Sequence, residues 1–173
     1  MLLFAATALA QPQQEPPNGL LLVAKPGLAD PNFRETVVLV TQAADSSTVG
    51  VILNRPTPRK HDKTGEPIDF GGPVMQEVLV ALYASERAPE AAAFHILKGV
   101  YLTMHPQNID ALPGKRFRLF AGFAGWAPGQ LQSELARDGW FVLPARAELL
   151  FRRDTRGMWD ELVRKARGRV AMR

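Results

Sequence analysis

The strongest constraint on this chain is a succession of short apolar runs, cut repeatedly by Gly, Pro and charged turns. Segments 20–24, 36–41, 49–53, 78–84, 99–103, 116–122 and 140–143 are each four to seven residues long and rich in Val, Leu and Ile. Runs this short, bounded by turn residues, predict strands rather than helices. Several are apolar on both faces, which predicts central positions in a sheet. Segment 116–120 alternates, with Phe117 and Leu119 on one face and Arg116, Arg118 and Phe120 on the other. Helical signals come late. Leu131 and Leu135 stand at i, i+4 within 130–137, and Asp138-Gly139 stops that helix. Segment 145–151 follows Pro144, and Thr155 is placed to cap a last helix over 156–167 that carries Trp159, Leu162, Val163 and Ala166 on one face. Segment 108–112 predicts a single helical turn. Strands gather ahead of the helices without strict alternation. This predicts an α+β single domain with a large mixed, partly barrel-like β-sheet and a few flanking helices. Segment 55–69 is polar and turn-rich and reads as an exposed loop.

A length of 173 residues fits one domain, and 46% hydrophobic with 22% charged residues is ordinary globular composition. With no cysteine, disulfides, thiolate metal sites and thiol nucleophiles are excluded. The formal charge of +4 is a property of the C-terminal part: from Arg146 onward there are 9 Lys+Arg against 4 Asp+Glu. That basic end lacks interleaved aromatics and any recognisable reading module, so the sequence argues against a nucleic-acid partner. At the other end, Leu2 to Leu9 is apolar, Ala8-Leu9-Ala10 is a small-x-small pattern, and a Pro-rich stretch follows. Residues 1–18 therefore read as a signal-peptide-like leader and linker, although without a charged n-region, ahead of a domain over 19–173. The leader implies export to the periplasm or beyond; without it the expectation is cytoplasmic. The apolar run is too short to span a bilayer.

The motifs that could carry chemistry are rich in glycine. In AGFAGWAPGQLQSEL, a strand is expected to end near Gly122 and to turn through Gly125-Trp126. A helix would then start near Pro128. Two readings stand: a structural joint with Trp126 as packed anchor, or an anion site at the helix start with Trp126 as stacking platform. FGGPV is a tight turn or a backbone cradle. In ADPNFRETVV, Asp30 organises a turn and Arg34 either pairs with a carboxylate or meets a ligand. Asn54 and Arg55 end a strand, and both can contact anions. The candidate ligand-binding residues are Asp30, Arg34, Asn54, Arg55, Gly71, Gly72, Trp126, Gly129 and Gln130. No catalytic residue, metal ligand or cofactor is assigned. His61, His95 and His105 lie in separate segments, no Gly-x-Ser-x-Gly elbow is present, and Glu134 with Asp138 has the spacing of a solvated helix face.

Four blocks in order, LLVAKPGLADPNFRETVVLV (21–40), GVILNRPT (50–57), FGGPV (70–74) and GFAGWAPGQLQSELARDGWFVLPA (122–145), resemble the YqgE/AlgH family of bacterial proteins. The resemblance runs from about Gly19 to Asp160. It implies an α+β fold with a large mixed sheet and says little about chemistry. One branch is named for regulating alginate production, so regulation of transcription or of exopolysaccharide enters by name only. The chain departs from the family pattern in three places: a short polar loop, 58–69, replaces a helical segment, the tail RGRVAMR replaces a Gly-His-Ala-like end, and the leader-like extension is unusual. Two function classes follow. One is a non-catalytic binding or regulatory protein for a small anion or a protein partner. The other is a small hydrolase or transferase acting on an anion held at the Gly129 helix start, where only Asp30, Glu35 or Glu134 could act as acid or base.

Overall fold

The computed structural model describes residues 17–170. Of the leader-like segment and linker 1–18, residues 1–16 lie outside the described residues. Nine strands form one sheet: β1 Leu20–Ala24, β2 Val37–Gln42, β3 Thr48–Ile52, β4 Ile68–Phe70, β5 Val74–Ala84, β6 Phe94–Leu97, β7 Val100–Thr103, β8 Phe117–Trp126 and β9 Trp140–Pro144. Their order is β6-β7-β5-β8-β3-β2-β1-β9, and β4 joins β8. Neighbours along the path pair antiparallel, whereas β4 and β8 run parallel, so the sheet is mixed. The helices are α1 Pro106–Asp110, α2 Gln130–Ala136, α3 Ala147–Leu150 and α4 Met158–Val170.

The sheet curls without closing. Asn18 and Gly19 donate backbone N–H bonds to the carbonyls of His95 (3.2 Å) and Ile96 (3.0 Å), which draws the β6 edge toward the start of β1. One face of the curl is filled by Leu21, Val23, Leu39, Val51, Leu82 and Phe120, and α3 and α4 cover it with Leu150, Met158, Leu162 and Ala166. Every other residue of β1 and β2 points there, as a two-residue period requires. The opposite face carries Leu22, Val38, Val40, Ile52, Trp126 and Trp140, roofed by Leu28, Phe33, Leu131 and Leu135.

All seven predicted strands are present, and two more appear. The loop reading of 55–69 is corrected at its end: Ile68–Phe70 pairs parallel with Leu119–Ala121 of β8. β6 was also missed. The joint at Trp126 differs from expectation as well. β8 runs on through Gly122 and Gly125 to Trp126, which pairs with Thr48 of β3. The glycines permit a close crossing. Gly122 sits at φ +70°, a Cβ there would lie 2.7 Å from the Gly72 carbonyl oxygen, and a Cβ on Gly71 would overlap the Gly122 oxygen. Opposite Gly122, β5 bulges: Val74 pairs with Phe123 and Leu79 with Ala121. Pro128 does not start the helix, because Gly129, in the left-handed region at φ 81°, is the N-cap of α2. The last helix begins at Met158, after Gly157 at φ +68° breaks the helical run.

Candidate functional site

The turn between β1 and β2 is built by Asp30. Its carboxylate accepts the Asn32 N–H (2.8 Å) and its carbonyl accepts the N–H groups of Phe33 and Arg34. This turn lays Phe33 on two indoles. Its ring centroid is 5.6 Å from that of Trp126 and 5.8 Å from that of Trp140, and the two indoles meet edge-on at 6.5 Å. Trp126 is 3% exposed, so neither face of its ring is open for stacking. Both indole N–H groups donate to one carboxylate oxygen of Glu134, at 3.1 Å from Trp126 and 3.2 Å from Trp140. The Gln130 amide donates to the other oxygen (3.2 Å), and its own carbonyl accepts the Ala127 N–H (3.1 Å). Gln130 thereby closes the turn ahead of α2. Gly129 and Gln130 are engaged with Ala127, Ser133 and Glu134.

Asn54 follows β3 and fastens the other side of the same turn. Its Oδ1 accepts the Val37 N–H (2.8 Å) and its Nδ2 donates to the Glu35 carbonyl (2.9 Å). These bonds hold Glu35 in the left-handed region, at φ 56°. Arg55 Nη2 donates to the Arg34 carbonyl (2.8 Å), while the Arg55 carbonyl accepts the Phe70 N–H (2.8 Å). Gly71 completes the frame: its carbonyl accepts from Ile52 and its N–H donates to Ala121. The fold therefore gathers Asp30, Arg34, Asn54, Arg55, Gly71 and Trp126 around one corner of the sheet. Gly72 lies against Phe123 at the crossing. Among the described residues, no cluster of three or more His, Asp or Glu is placed to hold a metal ion.

A cleft of about 310 Å³ opens beside this corner, between Glu35, Asn54, Arg55 and Pro56 and the start of α4 at 155–160. Trp159 walls it and donates its indole N–H to the Ala24 carbonyl (2.7 Å). On the rim, Arg156 forks onto Asp154 (2.9 and 2.6 Å) and by those hydrogen bonds holds its carboxyl at about 2. Arg55 has no carboxylate within ion-pair range among the described residues.

Sequence reading missed a second polar centre. Arg118 is 2% exposed and donates to the carbonyls of Leu150 (3.1 Å) and Leu53 (2.7 Å) and to Asp69 (2.6 Å). Burial lowers its pKa, and the hydrogen bond and charge of Asp69 oppose that. The signal was visible as an arginine in an alternating apolar strand, but its partners come from three distant segments.

A single domain whose curled, mixed sheet carries α3 and α4 on one face and an aromatic corner roofed by α2 on the other defines the class: an α+β protein organised around a strand–turn–helix corner. The chain belongs to the AlgH-like family, whose model matches residues 21–171. It is 35% identical to a UPF0301 protein of Thermobifida fusca, over 89% of each chain. It is 36% identical to another of Streptomyces coelicolor, over 90% of this chain and 89% of that one. A crystal structure from Corynebacterium diphtheriae superposes with a TM-score of 0.70 at 25% identity over 90% of each chain. The solution structure of the AlgH protein from Pseudomonas aeruginosa gives 0.63 at 25% identity, over 76% of this chain and 79% of that one. No helix among the described residues is long and apolar enough to cross a membrane.

Proposed function

We propose that this protein is a non-catalytic binding protein that takes a small anion in the cleft between Arg55 and the start of α4. The observation that carries the reading is the state of Arg55. Its guanidinium is fastened by one N–H to a carbonyl, lines the cleft and has no carboxylate in ion-pair range among the described residues. A guanidinium oriented in this way is a preorganised fork for a carboxylate or phosphate. At the adjoining Trp126 corner Asp30, Asn54, Gln130 and Glu134 are all engaged in holding turns and indoles, while the carboxylates that line the cleft itself are Glu35 and Asp160. The hydrolase or transferase reading at Gly129 gains no supporting geometry, because Gln130 closes that turn and Glu134 is shared by two indoles.

The test is a thermal-shift screen of the full chain against carboxylates, phosphates and phosphosugars. A ligand that binds only the folded state raises its apparent stability. The reading expects a shift that disappears in Arg55→Ala. A blank panel, or a shift indifferent to Arg55, rejects this cleft, and conversion of a bound compound rejects the non-catalytic half.

A further inference from the structure

A second cleft, of about 860 Å³, lies at the other end of β8, where Arg87, Lys98, Lys115 and Arg116 line it and Glu86 is its one carboxylate among the described residues. We propose that this cleft is a binding site for oligophosphates, compounds carrying two or more linked phosphates.

The cations come from three separate turns: the one after β5, the β6–β7 hairpin tip and the one before β8. Backbone bonds lock those turns together, with Ser85 N–H donating to Gly99 and Ala84 N–H to Arg116, both at 2.9 Å. Two of the cations also lie over rings. Lys115 Nζ lies 5.3 Å from the Tyr83 centroid, and the Arg116 guanidinium 4.5 Å from that of Phe151. His95 and Tyr101 also line the cleft and stack on each other at 5.1 Å and 18°. None of the four cations makes an ion pair among the described residues, whereas Arg118, Arg152, Arg153 and Arg156 all do.

Four positive groups focused on one concavity raise the local potential and repel one another, and a multiply charged anion relieves that repulsion. A single phosphate satisfies part of such a ring, while a chain of phosphates spans it. A nucleic-acid strand would want an open aromatic face, and here Tyr101 is buried under the fold at 4% exposure. The shared chemistry is the linked phosphates, whether from inorganic polyphosphate or from a nucleoside triphosphate. This inference does not rest on the Arg55 cleft.

Calorimetric titration of the full chain with tripolyphosphate, ATP, AMP, inorganic phosphate and a short oligothymidylate tests it. The expected result is that tripolyphosphate and ATP bind at least about tenfold more tightly than inorganic phosphate, and more weakly at high salt. The double variant Lys98→Glu/Lys115→Glu should lose at least about tenfold in affinity with its melting temperature kept, and Arg137→Ala, an exposed cation at the end of α2 outside both clefts, should lose nothing. ATP ahead of tripolyphosphate by about tenfold makes the source a nucleotide; parity makes it the phosphate chain itself. No binding at millimolar concentration, binding unchanged in the double variant, an equal loss in Arg137→Ala, or preference for the oligothymidylate would each overturn the proposal.

Discussion

The two ends of β8 use their polar side chains in opposite ways. At the Trp126 end, Glu134 takes both indole N–H groups, Asn54 clasps β2 and the Glu35 carbonyl, and Gln130 closes its own turn. At the Arg116 end, roughly 30 Å away along a ten-residue strand, four cations face a cleft with one carboxylate between them. The first end holds the blocks by which the family is recognised; the second holds charge that pairs with no carboxylate among the described residues. The difference teaches that a recognisable sequence block can mark where backbone must be held, while exposed binding charge is assembled from residues no motif contains.

The sharpest way to probe this contrast is to remove the buried charge near one end of β8. Arg118→Ala should cost about 3–5 kcal/mol in urea unfolding, because it strands Asp69 and two carbonyls. Arg118→Met, which keeps the volume and loses the charge, should cost less; equal losses would mean that the stranded Asp69 and carbonyls, not packing volume, dominate there. Next comes the aromatic corner. Glu134→Ala leaves two indole donors without their acceptor and should destabilise by about 2–3 kcal/mol, with a shift in tryptophan emission. Glu134→Gln keeps an acceptor and should lose less. If Glu134→Ala unfolds at the same urea concentration as the parent, the corner is held by apolar contact alone.

Asn54→Ala should cost about 1–2 kcal/mol by freeing the Val37 N–H and releasing Glu35, read from the denaturation midpoint. A smaller effect belongs to alkaline pH. Burial pushes the Tyr83 phenol up to about 12 from an ordinary 10. The unfolded chain then loses this proton before the folded one does, so stability falls as pH rises from about 10 to 12, on the order of 1 kcal/mol. Tyr83→Phe should flatten that part of the profile; an unchanged slope would assign it to the lysines. The smallest change is expected at the cationic cleft, where Lys98→Glu or Lys115→Glu should leave stability within about 0.5 kcal/mol. A large loss in either would show that those cations hold the fold, which would remove the contrast.

The strands were legible wherever an apolar run carried its own boundary. β1 has the predicted bounds, and β2 and β3 differ by a residue at their ends. β5 and β8 proved longer than predicted because Gly71, Gly72, Gly122 and Gly125 read locally as turn signals. Gly71, Gly72 and Gly122 answer instead to two backbones crossing closely, which is tertiary information, whereas Gly125 meets only the Phe123 ring at ordinary contact distance. β4 has three residues and its stability comes from β8, so nothing in its own sequence announces it. The candidate residues at the Trp126 corner were legible as unusual, but whether Asn54 or Gln130 faces a ligand or a backbone amide depends on chain brought from elsewhere. The cations of the second cleft are dispersed between residues 87 and 116, and no window of sequence holds them together.

The seam at the start of the chain has a mechanical consequence. Asn18 and Gly19 fasten to β6 by two backbone bonds, while β1 itself is registered along its length against β2 and β9. A pull applied at Asn18 loads those two bonds, together with the bonds of the Asn18 side chain to Thr41 and Gln42, before it reaches the strand pairs that must shear together. The curled sheet should therefore yield first at this seam, at low force, and the rest of the sheet should resist as a unit.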